Sequence, residues 1–356
     1  MRVYLIVFIV TFLIQFIPVK NNKQYLRRVL LTFIPLFLFG ALRVDFGLDY
    51  PAYEAEFQYA HIANELSDVS GHSEIGYVVL ETIVPTWRLL IVLTTALTCF
   101  AYGLLFYKCV PYKYSWMAVC ILFLCGQFTI FFQFSGIRNA IAIAIFLLSF
   151  PLIRDKKLIP FLVLLFLAFS FHSTAIFFMP LAYILCRSND MGKTEAWFWV
   201  IVMIILQVTG TSFLFERFSG IIDAYFSRYD AYFSNIEIEE SNRLSLPVRS
   251  FVAIVFLLMI YFMRTTNLTS NENVICRVSL IYILSYLLGP LSGRLPQCYG
   301  FMFVCGATLV LYKWKSIFEK YAFGIVVFVY LAYAFFIVWM GRDQFPYSVY
   351  HSVFMQ

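Results

Sequence analysis

"LIPFLVLLFLAFSFHSTAIFFMPLAYILC", residues 158–186, runs for 29 residues without an Asp, Glu, Lys or Arg. As one helix it would be roughly 43 Å long at 1.5 Å per residue, well beyond the roughly 30 Å hydrocarbon core of a bilayer. Basic segments flank it on both sides, "RDKK" (154–157) before and "RSNDMGK" (187–193) after. Cytoplasmic connections of membrane proteins are the ones that carry Lys and Arg. With both flanks cytoplasmic, the run must turn back on itself, and the break falls at "FHS" (171–173). The stretch therefore predicts a hairpin of two short spans with His172 at its outer tip.

The rest of the chain has the same character. Of 356 residues, 62% are hydrophobic, 13% are charged and 41 are Phe, which is not the composition of a soluble domain. Runs such as 115–134 and 323–340 are apolar on every face, so they predict helices and not the alternating strands of a barrel. About twelve spans result, near 3–18, 29–42, 88–107, 115–134, 138–153, 158–171, 172–186, 196–214, 249–263, 277–290, 298–312 and 321–340. The expected fold is an all-α polytopic membrane protein, one integral domain over 1–356, with extracytoplasmic loops at about 43–87 and 215–248. The first run, "VYLIVFIVTFLIQFIPV" (3–19), reads as a retained helix, since it has neither a basic leader nor a small-residue cleavage site.

The charges orient the bundle. With the hairpin in place, every lysine (20, 23, 108, 113, 156, 157, 193, 313, 315 and 320) lies on one side, the expected cytoplasmic side, and both termini lie outside. The opposite face holds all four His (61, 72, 172 and 351), most of the acidic residues and only arginine as its cation. Arginine's planar fork suits phosphate and carboxylate, whereas lysine is a flexible point charge. A net charge of +6 distributed in this way points to membrane orientation and small anions, not to nucleic acid. The eight Cys fall mostly within apolar runs at no metal-ligand spacing and read as small buried hydrophobes; no metal and no cofactor are expected.

Five segments of the outer face could carry chemistry. "RVDFGLDYPAYEAEF" (43–57) offers Arg43 for an anionic headgroup, Asp49 to orient it or meet a sugar hydroxyl, and Tyr50 and Tyr53 as stacking partners. An interfacial anchor with solvated carboxylates is the competing reading, which Glu54 and Glu56 fit best. "SEIGYVVLETIVP" (73–85) is too short to span and predicts an interfacial or re-entrant helix, with Glu74 and Tyr77 either wet or lining a site. "FQFSGIRNAIAIAIFLLSF" (132–150) sets Arg138 and Asn139 at the start of an apolar helix, where an anion or a nearby carboxylate must compensate the charge. His172 is a candidate general base or headgroup ligand. "GPLSGRLPQCYGFMF" (289–303) adds Arg294 and Tyr299 behind a Gly/Pro break.

No P-loop, Rossmann glycine pattern or DxD pair is present, and the polar face looks onto a compartment without nucleotides. An activated substrate there must bring its own leaving group, as a lipid-linked pyrophosphate does.

Taken in order, Arg43-x-x-x-Gly47-x-Asp49-Tyr50-x-x-Tyr53, Glu74-x-Gly76-Tyr77, Arg138 with Ala142, and Phe171-His172-Ser173-x-Ala175 resemble the EpsG branch of the Wzy-like polysaccharide polymerases. Arg294…Tyr299 and Pro346-Tyr347 match more loosely, and Asn139 stands where such sequences commonly carry Gln. The resemblance implies a GT-C-like, metal-independent glycosyltransferase of the bacterial inner membrane. Such an enzyme joins undecaprenyl-pyrophosphate-linked repeat units on the outer face after a flippase delivers them, and a chain-length co-polymerase is its implied partner. The implied catalytic residues are His172 or Asp49 as base and Arg138 and Arg294 at the pyrophosphate. Arg43, Tyr50, Tyr53, Glu74, Tyr77, Asn139 and Tyr299 are the implied substrate contacts. An O-antigen ligase needs the same outer-face chemistry. A flippase or transporter should instead show an internal repeat and helices broken at mid-membrane, and no such repeat is visible.

Overall fold

A computed structural model describes residues 2–47, 49–62, 74–186, 191–209, 246–285, 287, 294–340 and 350–354. Among these the protein is a helical bundle with one two-stranded sheet. Helices α1 (Arg2–Ile14) and α2 (Asn22–Ala41) form the first antiparallel pair. Pro18 closes off the first, and Asn21 starts the second by accepting the Gln24 N–H through its side chain. Strand β1 (Arg43–Val44) follows, then α3 (Tyr50–Ile62), α4 (Ile75–Ile83) and the long α5 (Trp87–Cys109). The short interfacial helix expected within 73–85 is α4; helix α3, inside the same loop, was not foreseen.

The apolar run 115–134 is not one straight span. Helix α6 (Ser115–Leu124) gives way to a π-helical turn (Gln127–Phe131) and a single α-turn, α7 (Phe132–Ser135), and the axes on either side differ by 86°. The Thr129 hydroxyl donates to the carbonyls of Leu122 and Cys125, occupying acceptors of the preceding turn where the axis changes. Helices α8 (Ile137–Leu148) and α9 (Phe150–Arg154) continue the chain. The opening stretch then folds as expected, with α10 (Leu158–Phe171) stopping at His172 and α11 (Ala175–Leu185) packing back against it.

Beyond these come α12 (Lys193–Thr209), α13 (Leu246–Thr265), α14 (Ser270–Ser285), α15 (Arg294–Lys313) and α16 (Ile317–Met340). The pair α14/α15 forms the centre: Asn273 through Ser285 are all buried. Gly306 makes the close approach possible, since a Cβ there would lie 2.1 Å from the Ser279 hydroxyl.

Large apolar side chains also cover the outside. Leu13, Leu30, Phe100, Ile159, Phe166 and Ile325 are each more than half exposed, which water would penalise and lipid tails would not. Taken alone, α5 is the one described helix long and apolar enough to cross a membrane, and α1, α8 and α10 are shorter apolar helices.

The polar connections divide between two ends. At one end Lys313 pairs with Glu272 at 2.6 Å, Arg154 reaches Asn271, and Arg28 binds the Gln15 and Ile17 carbonyls and Ser115. At the other, the C-terminal β2 (His351–Ser352) pairs antiparallel with β1, Arg43 opposite Ser352, while Tyr350 stacks on Phe39 and donates to its carbonyl.

Inside the bundle, Arg277 of α14 is 0% exposed and holds both carboxylate oxygens of Glu195 on α12, at 2.8 and 2.9 Å. Cutting that pair strands a buried charge. Glu195→Ala, which takes that carboxylate from the fully enclosed Arg277 guanidinium, should lower stability by about 3–5 kcal/mol, and Glu195→Leu with Arg277→Met should recover most of the loss. Thermal unfolding in detergent measures both; equal losses in the single and double variants would contradict the assignment.

Candidate functional site

The α10–α11 break brings His172 to the N-terminus of α4. Glu74 caps that helix through its backbone, so its carboxylate points outward to neighbours instead of bonding its own first turn. One oxygen, Oε1, accepts the Ser173 backbone N–H at 3.0 Å and lies 3.3 Å from His172 Nδ1. The other, Oε2, accepts from Arg138 at 2.9 Å. Side-chain exposure is 21% for Arg138, 18% for Glu74 and 11% for His172, so the cluster is half-sunken: Arg138 and Glu74 keep an exposed edge, while His172 Nε2 is enclosed.

Burial by itself would raise the Glu74 carboxyl. The hydrogen bond with His172, the Arg138 charge and the Ser173 N–H outweigh burial and take it down to about 2. Glu74 is therefore ionised throughout the physiological range. In the neutral imidazole with its Nδ1–H directed at that carboxylate, the lone pair falls on Nε2.

Arg138 is held from the other side by rings. Its guanidinium lies 5.1 Å from the centre of Tyr53 and 5.8 Å from that of Tyr77, two rings that meet edge-on, and its Nε donates to the Tyr53 hydroxyl at 3.4 Å. The spacing in "EIGY" explains how Glu74 and Tyr77 both reach it, because residues three apart share a helix face. Gly76, between them, faces α10: a Cβ there would lie 2.4 Å from the Ser170 hydroxyl and 2.8 Å from the Ser170 carbonyl. Only glycine lets α4 pack closely enough to deliver Glu74 to His172.

Other expected residues have different surroundings. Asn139 donates to Gln297, which joins the first turns of α8 and α15; those turns carry Arg138 and Arg294 respectively. The Arg294 side chain lies outside the described residues. Asp49 is exposed, and its carboxylate lies 3.9 Å from where a Gly136 Cβ would stand, at the start of α8. Gly47, with φ 92°, makes the turn leading to Asp49.

Tyr50 is buried and accepts the Trp87 indole N–H at 3.0 Å. Tyr299 is buried edge-on against Phe146. Arg43 points inward, donating to the Gly40 carbonyl and to Thr95 at 2.8 Å, beneath the Phe134 ring. Its guanidinium braces α2 against α5 and is not oriented by Asp49.

A model of the EpsG family matches residues 26–352. The chain belongs to the EpsG family. That is the family of Wzy-like polysaccharide polymerases, which implies a polymerase-type role on lipid-linked sugars in general. The EpsG match begins in α2 and ends in β2, so it takes in each side chain described above. No curated protein and no solved structure matches the chain.

Sequence reasoning did not single out Gln297 or Gln133, and it gave Ser173 only as a member of the Phe171-His172-Ser173-x-Ala175 series, without a role. The first two are amides inside apolar runs, a signal visible only once helices are paired. Gln133 donates to the Gln297 carbonyl, extending the amide contact below Asn139.

Because the Glu74 carboxyl is depressed, its stabilising contribution is complete above its ordinary value of 4.5 and is lost as pH falls toward 2. Glu74→Gln should lower stability at neutral pH by about 2 kcal/mol, allowing for partial solvent screening, and should flatten the loss between those two pH values. Thermal melts across that range decide it; a Glu74→Gln curve parallel to wild type would contradict it.

Proposed function

We propose that the protein joins oligosaccharide repeat units carried on undecaprenyl pyrophosphate, working on the extracytoplasmic face of the bacterial inner membrane with both termini on that side. The observation that carries this reading is the Arg138–Glu74–His172 cluster, an anion-binding cation and a candidate base held by one carboxylate. About twelve spans and a lysine-bearing cytoplasmic side complete the topology.

A hydroxyl of one lipid-linked unit attacks the anomeric carbon of the other. The new glycosidic C–O bond forms as the bond to the pyrophosphate oxygen breaks, and the lipid pyrophosphate departs with the electron pair. His172 takes the hydroxyl proton on Nε2, an atom enclosed in this structure that the seated substrate must uncover, and the Glu74 carboxylate stabilises the imidazolium that results. Arg138 meets the charge developing on the pyrophosphate, aided by the N-terminal dipole of α8. Arg294 joins it in this reading, because the Asn139–Gln297 bond holds the two helix starts together. Arginine thus supplies the positive charge that a metal would supply elsewhere, and Asp49 and Tyr53 contact the sugars. A co-polymerase setting chain length and a flippase supplying the substrate are the partners this chemistry needs.

Purified protein incubated with the lipid-linked repeat unit should yield a ladder of products. Arg138→Ala and His172→Ala should each reduce its rate by about 10²–10⁴-fold. A wild-type ladder from Arg138→Ala would overturn the assignment.

A further inference from the structure

The helix that presents Glu74 carries a second carboxyl that the chemistry above does not use. Glu81 lies on the same face of α4 as Glu74 and Tyr77, at spacings of seven and four residues. It is 0% exposed, and neither of its carboxyl oxygens makes a hydrogen bond of normal geometry. The Tyr77 hydroxyl beside it closes no such bond either. An ionised carboxylate in that position would be strongly disfavoured, whereas a protonated one is tolerated.

The charged and titratable groups around Glu81 are few. Tyr77 is on its own helix, Glu56 approaches from α3, and Arg138 approaches from α8. Helix α10, packed on α4, has no titratable side chain between Leu158 and Phe171. Burial and then the Glu56 charge push the Glu81 carboxyl up to about 8, against the pull of Tyr77 and Arg138.

Tyr77 thus stands between the two, its ring under the Arg138 guanidinium and its hydroxyl toward Glu81. Arg138 already faces two other carboxylates, Glu74 in direct contact and Glu56 nearby. Two carboxylates against one guanidinium already leave a single negative charge in excess; a third carboxylate would double that excess and repel an incoming phosphate more strongly.

We propose that Glu81 is a positioning residue that works as a neutral acid, keeping the Arg138 charge available to a substrate pyrophosphate when protonated and withdrawing it when ionised. This rests on the reading of Arg138 as the pyrophosphate-binding residue.

Binding of undecaprenyl pyrophosphate to the full-length protein in detergent, followed across about pH 6 to 9, tests it. Wild-type affinity should fall about tenfold between pH 7 and pH 9 as one proton is lost. Glu81→Gln, neutral at every pH, should keep the neutral-pH affinity and lose the alkaline fall; Glu81→Met serves if the amide disturbs packing. An unchanged alkaline fall in Glu81→Gln, or a large loss of its affinity at neutral pH, overturns the proposal. Failure of wild type to bind at any pH overturns the pyrophosphate reading itself. Infrared spectroscopy tests Glu81 separately. A protonated-carboxyl stretch should be present at neutral pH, vanish on alkalinisation and be missing in Glu81→Gln; its absence from wild type overturns the neutral-acid assignment.

Discussion

The Glu74 carboxylate is the constraint around which this end of the bundle is organised. A guanidinium half-buried at a helix start needs a counter-charge, and an imidazole in a helix-breaking turn needs an acceptor to fix its tautomer. Glu74 meets both needs with its two oxygens, and the Ser173 N–H and Arg138 keep it ionised despite burial. Three segments distant in sequence, at 74, 138 and 172, are thereby held at one point.

Much of the surrounding fold serves that convergence. The hairpin turn delivers His172, Gly76 lets α4 lie against the end of α10, and the Tyr53 and Tyr77 rings set the height of the guanidinium. Behind them, Arg43 and the β1–β2 pairing fix the root of the loop that holds Asp49, while the amide contact of Asn139 with Gln297 ties α8 to α15. The arrangement is a rigid frame with a partly open, charged mouth, suited to holding an anion and moving a proton beside it.

The hairpin was legible because a charge-free run too long for one span, with basic flanks, allows few alternatives. The short α4 was legible for the converse reason: an apolar run too short to span. What composition could not reveal was partnership. Arg138 and Glu74 stand out singly as costly charges, yet only packing shows that they neutralise each other. Arg277 and Glu195 were passed over because each sits at the edge of an apolar run, where a charge looks merely solvated. Arg43 misled in the opposite direction: its place beside Asp49 and Tyr50 suggests a ligand, whereas its guanidinium turns inward to Thr95. The π turn after α6 carries a threonine hydroxyl bonded back to the Leu122 and Cys125 carbonyls, a contact that hydropathy does not register.

A double-mutant cycle between Glu74 and His172, read as the rate of polymer formation by purified protein, tests the central claim most directly. If one carboxylate positions the imidazole, Glu74→Gln with His172→Ala should cost clearly less than the product of the two single losses, because part of the Glu74 effect acts through His172 and only the remainder through Arg138. Losses that simply multiply would contradict the account, since the two side chains would then act independently.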